Sequence, residues 1–290
     1  MRLRLHPPKD GAGVTRNLGY VVSHQLVNAA DFGVPQKRER VFIIGYRRDL
    51  DLTWQPLRPT HSQEALLWSK WVTGQYWDEH ELTANQRPVL TPAQRNLIPA
   101  LRSRYGMFGP DTARWRTVRD ALRGLPDPTT SAAASWPNHE YRTGAIAYPG
   151  HTGSELDEPA KTIKAGAHGV PGGENMMRLP TGEVRYFTVR ESARILTFPD
   201  DYFLTGTWGE AMRQLGNAVP VQLAAQTNST LAGCFWGKFL VLCRMDLPIT
   251  EKKQKLTSGA MLRGSRIGWA SAWATASSTS RGCFTRAEAI

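Results

Sequence analysis

Thirteen prolines between residues 52 and 183 set the tightest limit on what this chain can fold into. Proline removes a backbone donor and clashes with the preceding helical turn, so a segment broken this often reads as short pieces joined by loops. Regular patterning sits on either side of it. Upstream, residues 20–27 are rich in β-branched side chains and predict a strand, and residues 41–46 (VFIIGY) predict a second, more buried one. The connector between them holds Gly33, Pro35 and a run of charge, which predicts an exposed loop. Downstream, Thr188-Val189-Arg190-Glu191 has the spacing of a capping box, so a helix is expected to about Leu196, stopped before Pro199. Residues 209–215 predict another short helix, and Asn217 is placed to cap a third running through Val221, Leu223 and Ala224. In the proline-broken middle only residues 62–72 and 117–123 read as helical, and its tryptophans (Trp68, Trp71, Trp77, Trp115, Trp136) are expected to form local core rather than to stack on bases.

Charge narrows the partners. The formal net charge is +11, which favours a polyanion, either nucleic acid or an anionic membrane surface. Eight arginines between Arg87 and Arg123 stand against Asp111 and Asp120, a local excess of six, and from Thr227 onward nine basic residues face three acidic ones, again an excess of six. Arginine suits phosphate because its planar fork donates two parallel hydrogen bonds, although a solvated arginine-rich helix face has the same composition. The cysteines, Cys234, Cys243 and Cys283, form no C-x-x-C pair and lie near no histidine cluster, so neither disulfides nor a zinc or other metal site is expected, and a reducing cytoplasm is the default. The most apolar run, residues 231–243, contains Lys238 and is too short to span a bilayer, so no membrane association is expected.

Two motif blocks carry the chemistry. The first is Asp31-Phe32-Gly33-Val34-Pro35-Gln36-Lys37-Arg38-Glu39-Arg40 leading into the second strand; the other runs from Tyr186 through Phe198-Pro199-Asp200 to Gly216-Asn217-Ala218-Val219-Pro220. Alone, Q-x-R-x-R is equally an ordinary charged turn, and G-N-x-V equally a helix cap. Together, in this order and spacing, they resemble the late sequence blocks of DNA cytosine-5 methyltransferases over residues 18–226. The resemblance implies an α/β fold: the C-terminal part of an S-adenosylmethionine-dependent, Rossmann-like methyltransferase sheet plus a loop-rich target-recognition domain. Residues 1–50 would end the catalytic sheet, 51–185 form the recognition region, 186–226 return to the catalytic domain, and 227–290 form a divergent tail without expected regular structure.

The resemblance also implies roles. Such an enzyme rotates its target cytosine out of the duplex into a pocket. Arg38 and Arg40 would line that pocket, with Arg40 on the base oxygen and a neighbouring phosphate, while Gln36 and Glu39 orient the loop. Asn217, Ala218 and Val219 would close one wall of the S-adenosyl-L-methionine site, aided by free N–H groups of the following helix. Lys37, Thr162 and Arg190 are expected on the DNA, Arg190 also through the support its helix gives to the recognition region. Asp157 to Ile163, followed by Gly166, Gly169, Gly172 and Gly173, resembles the end of that region. No Pro-Cys pair occurs, so no residue matches the family nucleophile, and no early glycine-rich donor loop is present. The chain therefore reads as the C-terminal half of a DNA cytosine-5 methyltransferase, binding duplex DNA and using the methyl donor only with a second chain that carries the early blocks. The alternatives are a non-catalytic DNA-binding module and a degenerate gene product.

Overall fold

The computed structural model describes residues 19–52, 54–150, 152–165 and 175–233. The tail expected to lack regular structure lies outside the described residues from 234 on, as do its three cysteines, the 231–243 run beyond Gly233, and Gly166, Gly169, Gly172 and Gly173. Among the described residues no helix is long and apolar enough to cross a membrane.

The first two predicted strands form and pair. Strand β1 (Tyr20–Asn28) runs antiparallel to β2 (Glu39–Arg47), in register from Tyr20 opposite Arg47 to Asn28 opposite Glu39. Alternation sorts the side chains by face. Val27, Phe42, Ile44 and Tyr46 turn inward onto Trp54, Leu57 and Leu223. Gln25 ties the returning chain to β1, its side-chain amide donating to Leu57 O and accepting from Leu57 N, both at 2.9 Å.

The connector is not the exposed loop its glycine, proline and charge predict. Ala29, Ala30, Phe32, Val34, Gln36 and Arg38 are all buried, and only Lys37 and Glu39 reach solvent. Its backbone is covered from two sides. Ala160 N donates to Pro35 O at 2.9 Å and Lys37 N to Ala160 O at 2.8 Å, while Gln226 Nε2 donates to Phe32 O at 3.1 Å. These partners are more than a hundred residues away in sequence, so a local reading sees only unpaired polar groups. Gly33 closes the 3-10 turn Ala29–Phe32 at φ 80°, where a Cβ would lie 2.5 Å from Gln222 Nε2 and 2.7 Å from His61 Cε1.

The proline-broken middle holds more order than expected. The two predicted helices are present as α1 (Gln63–Trp71), capped by Ser62, and the one-turn Val118–Leu122, capped by Thr117 and Asp120. Between them lie α2 (Gln75–Glu79) and an unpredicted 14-residue helix, α3 (Pro92–Tyr105). Thr91 and Gln94 form a capping box for α3, and Pro92 sits in its first turn, where a missing N–H is harmless. Val118–Leu122 is α4. Very short strands complete the region: β3 (His61–Ser62) parallel to β4 (Ala113–Arg114), and β5 (Ser154–Glu155), β6 (Met176–Arg178) and β7 (Val184–Tyr186) in one sheet. Pairs and triplets of residues carry no detectable period, which hides such strands from sequence. Trp77 and Trp115 pack with Tyr76 and Leu66 in a small local core, as expected of the tryptophans.

That core is edged by ion pairs. Arg114 donates to Asp120 at 2.7 and 2.9 Å and to Glu79 at 2.7 Å, and His80 Nε2 lies 3.0 Å from Asp120. Burial opposes the charge on Asp120, yet the hydrogen bonds from His80, Arg114 and the Thr117 backbone outweigh it and hold the carboxyl well below its ordinary value of 3.8.

In the return segment α5 (Val189–Ile195) follows the predicted box: Thr188 Oγ1 accepts from Glu191 N at 3.1 Å and Glu191 Oε2 from Thr188 N at 2.8 Å. The same Glu191 takes two hydrogen bonds from the buried Arg185 at 2.6 and 2.8 Å. Helices α6 (Trp208–Asn217) and α7 (Val221–Gly233) complete the fold. Asn217 is the last residue of α6 and not the cap of α7. The start of α7 is held instead by Leu196 O, 3.0 Å from Val221 N, and by Thr197 Oγ1, 2.9 Å from Gln222 N. Gly216 lets α6 touch the end of the recognition region, since a Cβ there would lie 2.2 Å from Ala165 N and 2.4 Å from Ala165 Cα.

Two outcomes follow for stability. Because Asp120 titrates below its ordinary value in the folded state, its contribution is complete above pH 3.8 and is lost as pH falls below it. Urea unfolding at neutral and acidic pH should therefore show a steeper acid loss for the wild type than for Asp120→Asn. Gly216→Ala must displace backbone rather than a side chain, so the same assay should show a loss of about 1–3 kcal/mol or more.

Candidate functional site

The two motif blocks meet at Arg38. Its Nη2 donates to Gly216 O at 2.7 Å and its Nη1 to Ile163 O at 3.2 Å, joining the connector, the end of the recognition region and the return segment. Its backbone N donates to Asn28 Oδ1 at 3.2 Å, and the same oxygen accepts from Ala30 N. Burial, then the charge of Arg40, lowers the Arg38 pKa to about 10, which leaves it charged at neutral pH. The guanidinium, expected in the element lining a target-base pocket, is enclosed and fastens the connector to residues 163 and 216. Gln36 is also fully buried and meets Ala160 in a parallel bridge, while neither atom of its amide has a hydrogen-bond partner.

Arg40 differs. It projects from β2, half-buried, and the hydrogen bond of its side chain is from Nη1 to the adjacent Glu39 O at 2.6 Å, which leaves most of the guanidinium fork open. Lys37 is exposed on the connector, with Nζ 3.7 Å from Glu158 Oε2 and 5.4 Å from the centre of the Trp115 ring. Thr162, predicted from the far end of the recognition region, donates its hydroxyl to Lys37 O at 2.8 Å. The structure thus brings Lys37 and Arg38, Thr162 and Gly216 together from three distant stretches.

A buried brace holds this edge, and sequence reasoning missed it. Lys70 in α1 is buried and donates to Glu158 Oε1 at 2.9 Å and to Asp157 O. Burial lowers its pKa, and the Glu158 charge works against that shift. Asp157 in turn accepts from Arg119 Nε at 2.7 Å and from Tyr76 OH at 2.8 Å. A lysine in an amphipathic helix normally points to water, so nothing in the sequence around Lys70 signals its burial.

Other predicted residues lie elsewhere. Asn217 is exposed at the end of α6, and Ala218 and Val219 are half-buried. The amides of Val221 and Gln222 are already bonded, so the free N–H groups expected from the start of α7 are not available there. Arg190 is fully buried, with Nε on Pro137 O at 3.1 Å, Nη1 on Pro199 O at 3.2 Å and Nη2 on Tyr202 O at 2.9 Å. Enclosed by carbonyls, Arg190 ties Pro137, Pro199 and Tyr202 to α5, the supporting position expected of its helix. Of the eight arginines in the basic stretch, Arg104, Arg114 and Arg119 are tied in ion pairs and Arg87 lies 3.8 Å from Asp78; Arg95, Arg102, Arg116 and Arg123 have no side-chain hydrogen-bond or ion-pair partner among the described residues.

Comparison with known proteins bears on this arrangement. The profile of the C-5 cytosine-specific DNA methylase family matches residues 13–232. The Type II methyltransferase M.NgoFVII of Neisseria gonorrhoeae is 32% identical over 221 residues, covering 76% of this chain and 52% of that protein. M.MthTI of Methanothermobacter thermautotrophicus is 28% identical over 235 residues, covering 72% and 56%. The chain spans about half the length of the curated relatives it matches. Among solved structures, the S. pombe Dnmt2 methyltransferase superposes with a TM-score of 0.42 at 15% identity, over 74% of this chain and 58% of that one. With the family profile running through both motif blocks and the residues between them, the chain belongs to the C-5 cytosine-specific DNA methylase family.

Proposed function

We propose that this chain is the C-terminal half of a DNA cytosine-5 methyltransferase of a Type II restriction-modification system, acting in the cytoplasm. It comprises the target-recognition region and the closing part of the catalytic sheet, and it binds duplex DNA around a flipped cytosine. The observation that carries this reading is the Arg38 clasp, which joins the two motif blocks across 178 residues of sequence. Arg40 donates to the base oxygen and a nearby phosphate through its planar fork. Lys37 and Thr162 hold the DNA backbone beside it. Phosphate contacts of this kind set register without reading sequence.

S-adenosyl-L-methionine, when bound, supplies the methyl group that replaces hydrogen at cytosine C5. The exposed amide of Asn217 and the half-buried backbone of Ala218 and Val219 suit one wall of its site and no more, since the neighbouring α7 amides are engaged. The nucleophilic cysteine and the donor loop come from a second chain carrying the early blocks, and this chain alone is inactive. One observation favours the second reading, a non-catalytic DNA-binding module: the three cysteines follow Gly233, Leu242 and Gly282, so none has the Pro-Cys context.

Mixing the purified chain with a chain that carries the early blocks, duplex DNA and tritiated methyl donor separates the two. Label should enter cytosine only when both chains are present; complete absence of transfer, with DNA binding retained, selects the module. Arginine variants test the site within the active mixture. Arg40→Ala should lower transfer about 100-fold with an unchanged melting temperature. Arg38→Ala should instead destabilise the fold by about 2–5 kcal/mol in denaturant unfolding, because it removes two charged hydrogen bonds from a buried position.

A further inference from the structure

The turn after α3 presents apolar side chains where a folded chain normally hides them. Met107 and Phe108 are 91% and 97% exposed. They are adjacent and lie between Gly106 and Gly109, both at positive φ. Gly106 adopts φ 58°, ψ −127°, a region open in practice only to glycine. Gly109 is pressed against α1, where a Cβ would lie 2.8 Å from Trp68 Nε1. The two glycines set the backbone of the turn that presents Met107 and Phe108.

The support of this turn is basic. Residues 84–110 contain Arg87, Arg95, Arg102 and Arg104 and no acidic residue. Arg104 and Tyr105 are bonded to Glu64, which anchors the end of α3. Arg95 and Arg102 have no side-chain hydrogen-bond or ion-pair partner among the described residues and, seven residues apart, lie on one face of the helix. Leu101 is the buried residue of α3, so the helix and its tip project from the molecule.

We propose that Met107 and Phe108 form a wedge that inserts between base pairs of duplex DNA, with Arg95 and Arg102 holding the phosphates beside the opened step. This rests on the reading that the chain binds duplex DNA. Apolar side chains driven into a base step unstack it and unwind the duplex, and a step already opened lowers the cost of taking a base out. Charge favours DNA over a protein partner here. Two side chains are also far too few to cover the roughly 800 Å² per side of a stable protein interface.

The test uses the full chain and a relaxed closed-circular plasmid, which offers many sequences at once. Plasmid binding is measured by gel shift, and unwinding by the change in linking number after topoisomerase treatment. The wild type should unwind the plasmid. Met107→Ser/Phe108→Ser, both at the surface, should keep the melting temperature, bind about tenfold more weakly and unwind nothing at saturation. Arg95→Ala/Arg102→Ala should lower the salt slope of binding by about two while unwinding per bound molecule persists. Unwinding by the serine variant, or binding by the wild type without unwinding, overturns the wedge and leaves DNA binding standing. Loss of self-association in the serine variant, with plasmid binding unchanged, overturns it in favour of a protein contact. A wild type that does not bind the plasmid removes the DNA-binding reading and the wedge together.

Discussion

One guanidinium holds the arrangement together. Arg38 reaches Ile163 O and Gly216 O at once, and through them three stretches that share no local sequence. A buried charge is costly unless its donors are satisfied, and carbonyl groups at chain ends and turns offer compensation without a counter-ion. The consequence is positional. With Arg38 fixed, the connector lies against residue 160, Thr162 bonds Lys37 O, and Arg40 emerges from β2 with most of its fork open.

Glycine and helix caps do the complementary work. Gly216 is helical and makes no unusual turn; it matters because the backbone at residues 164 and 165 occupies the space its side chain would need. Around α5, Thr188 and Glu191 close the helix start while Glu191 also neutralises Arg185, so one carboxylate serves both a cap and a buried ion pair. Arg190 then draws the carbonyls of Pro137, Pro199 and Tyr202 onto the same helix. These polar contacts stand beside an apolar core in which Val118, Ala160, Ile163 and Met177 of the middle segment pack with Phe187, Ile195, Met212 and Leu215.

Sequence and structure agree where the signal is local and periodic. β1 and β2, the helices near residues 62–72 and 117–123, the cap of Thr188 and the stop before Pro199 were all legible because each depends on residues a few positions apart. α3 was hidden by its own prolines, one harmless at the helix start and Pro99 carried inside the helix. Asn217 has the composition of a cap but lies within a helix, since Leu196 and Thr197 had already bonded the amides a cap would serve.

The amino-acid sequence by itself determined the family and the two ordered ends, because motif identity and spacing are properties of the chain. Only the tertiary structure decided which of two neighbouring arginines is enclosed and which is open, that Lys70 is buried, and that Arg190 serves the fold. The physical reason is that burial of a polar side chain depends on carbonyls and carboxylates supplied from far along the chain, and no pattern around the residue records them.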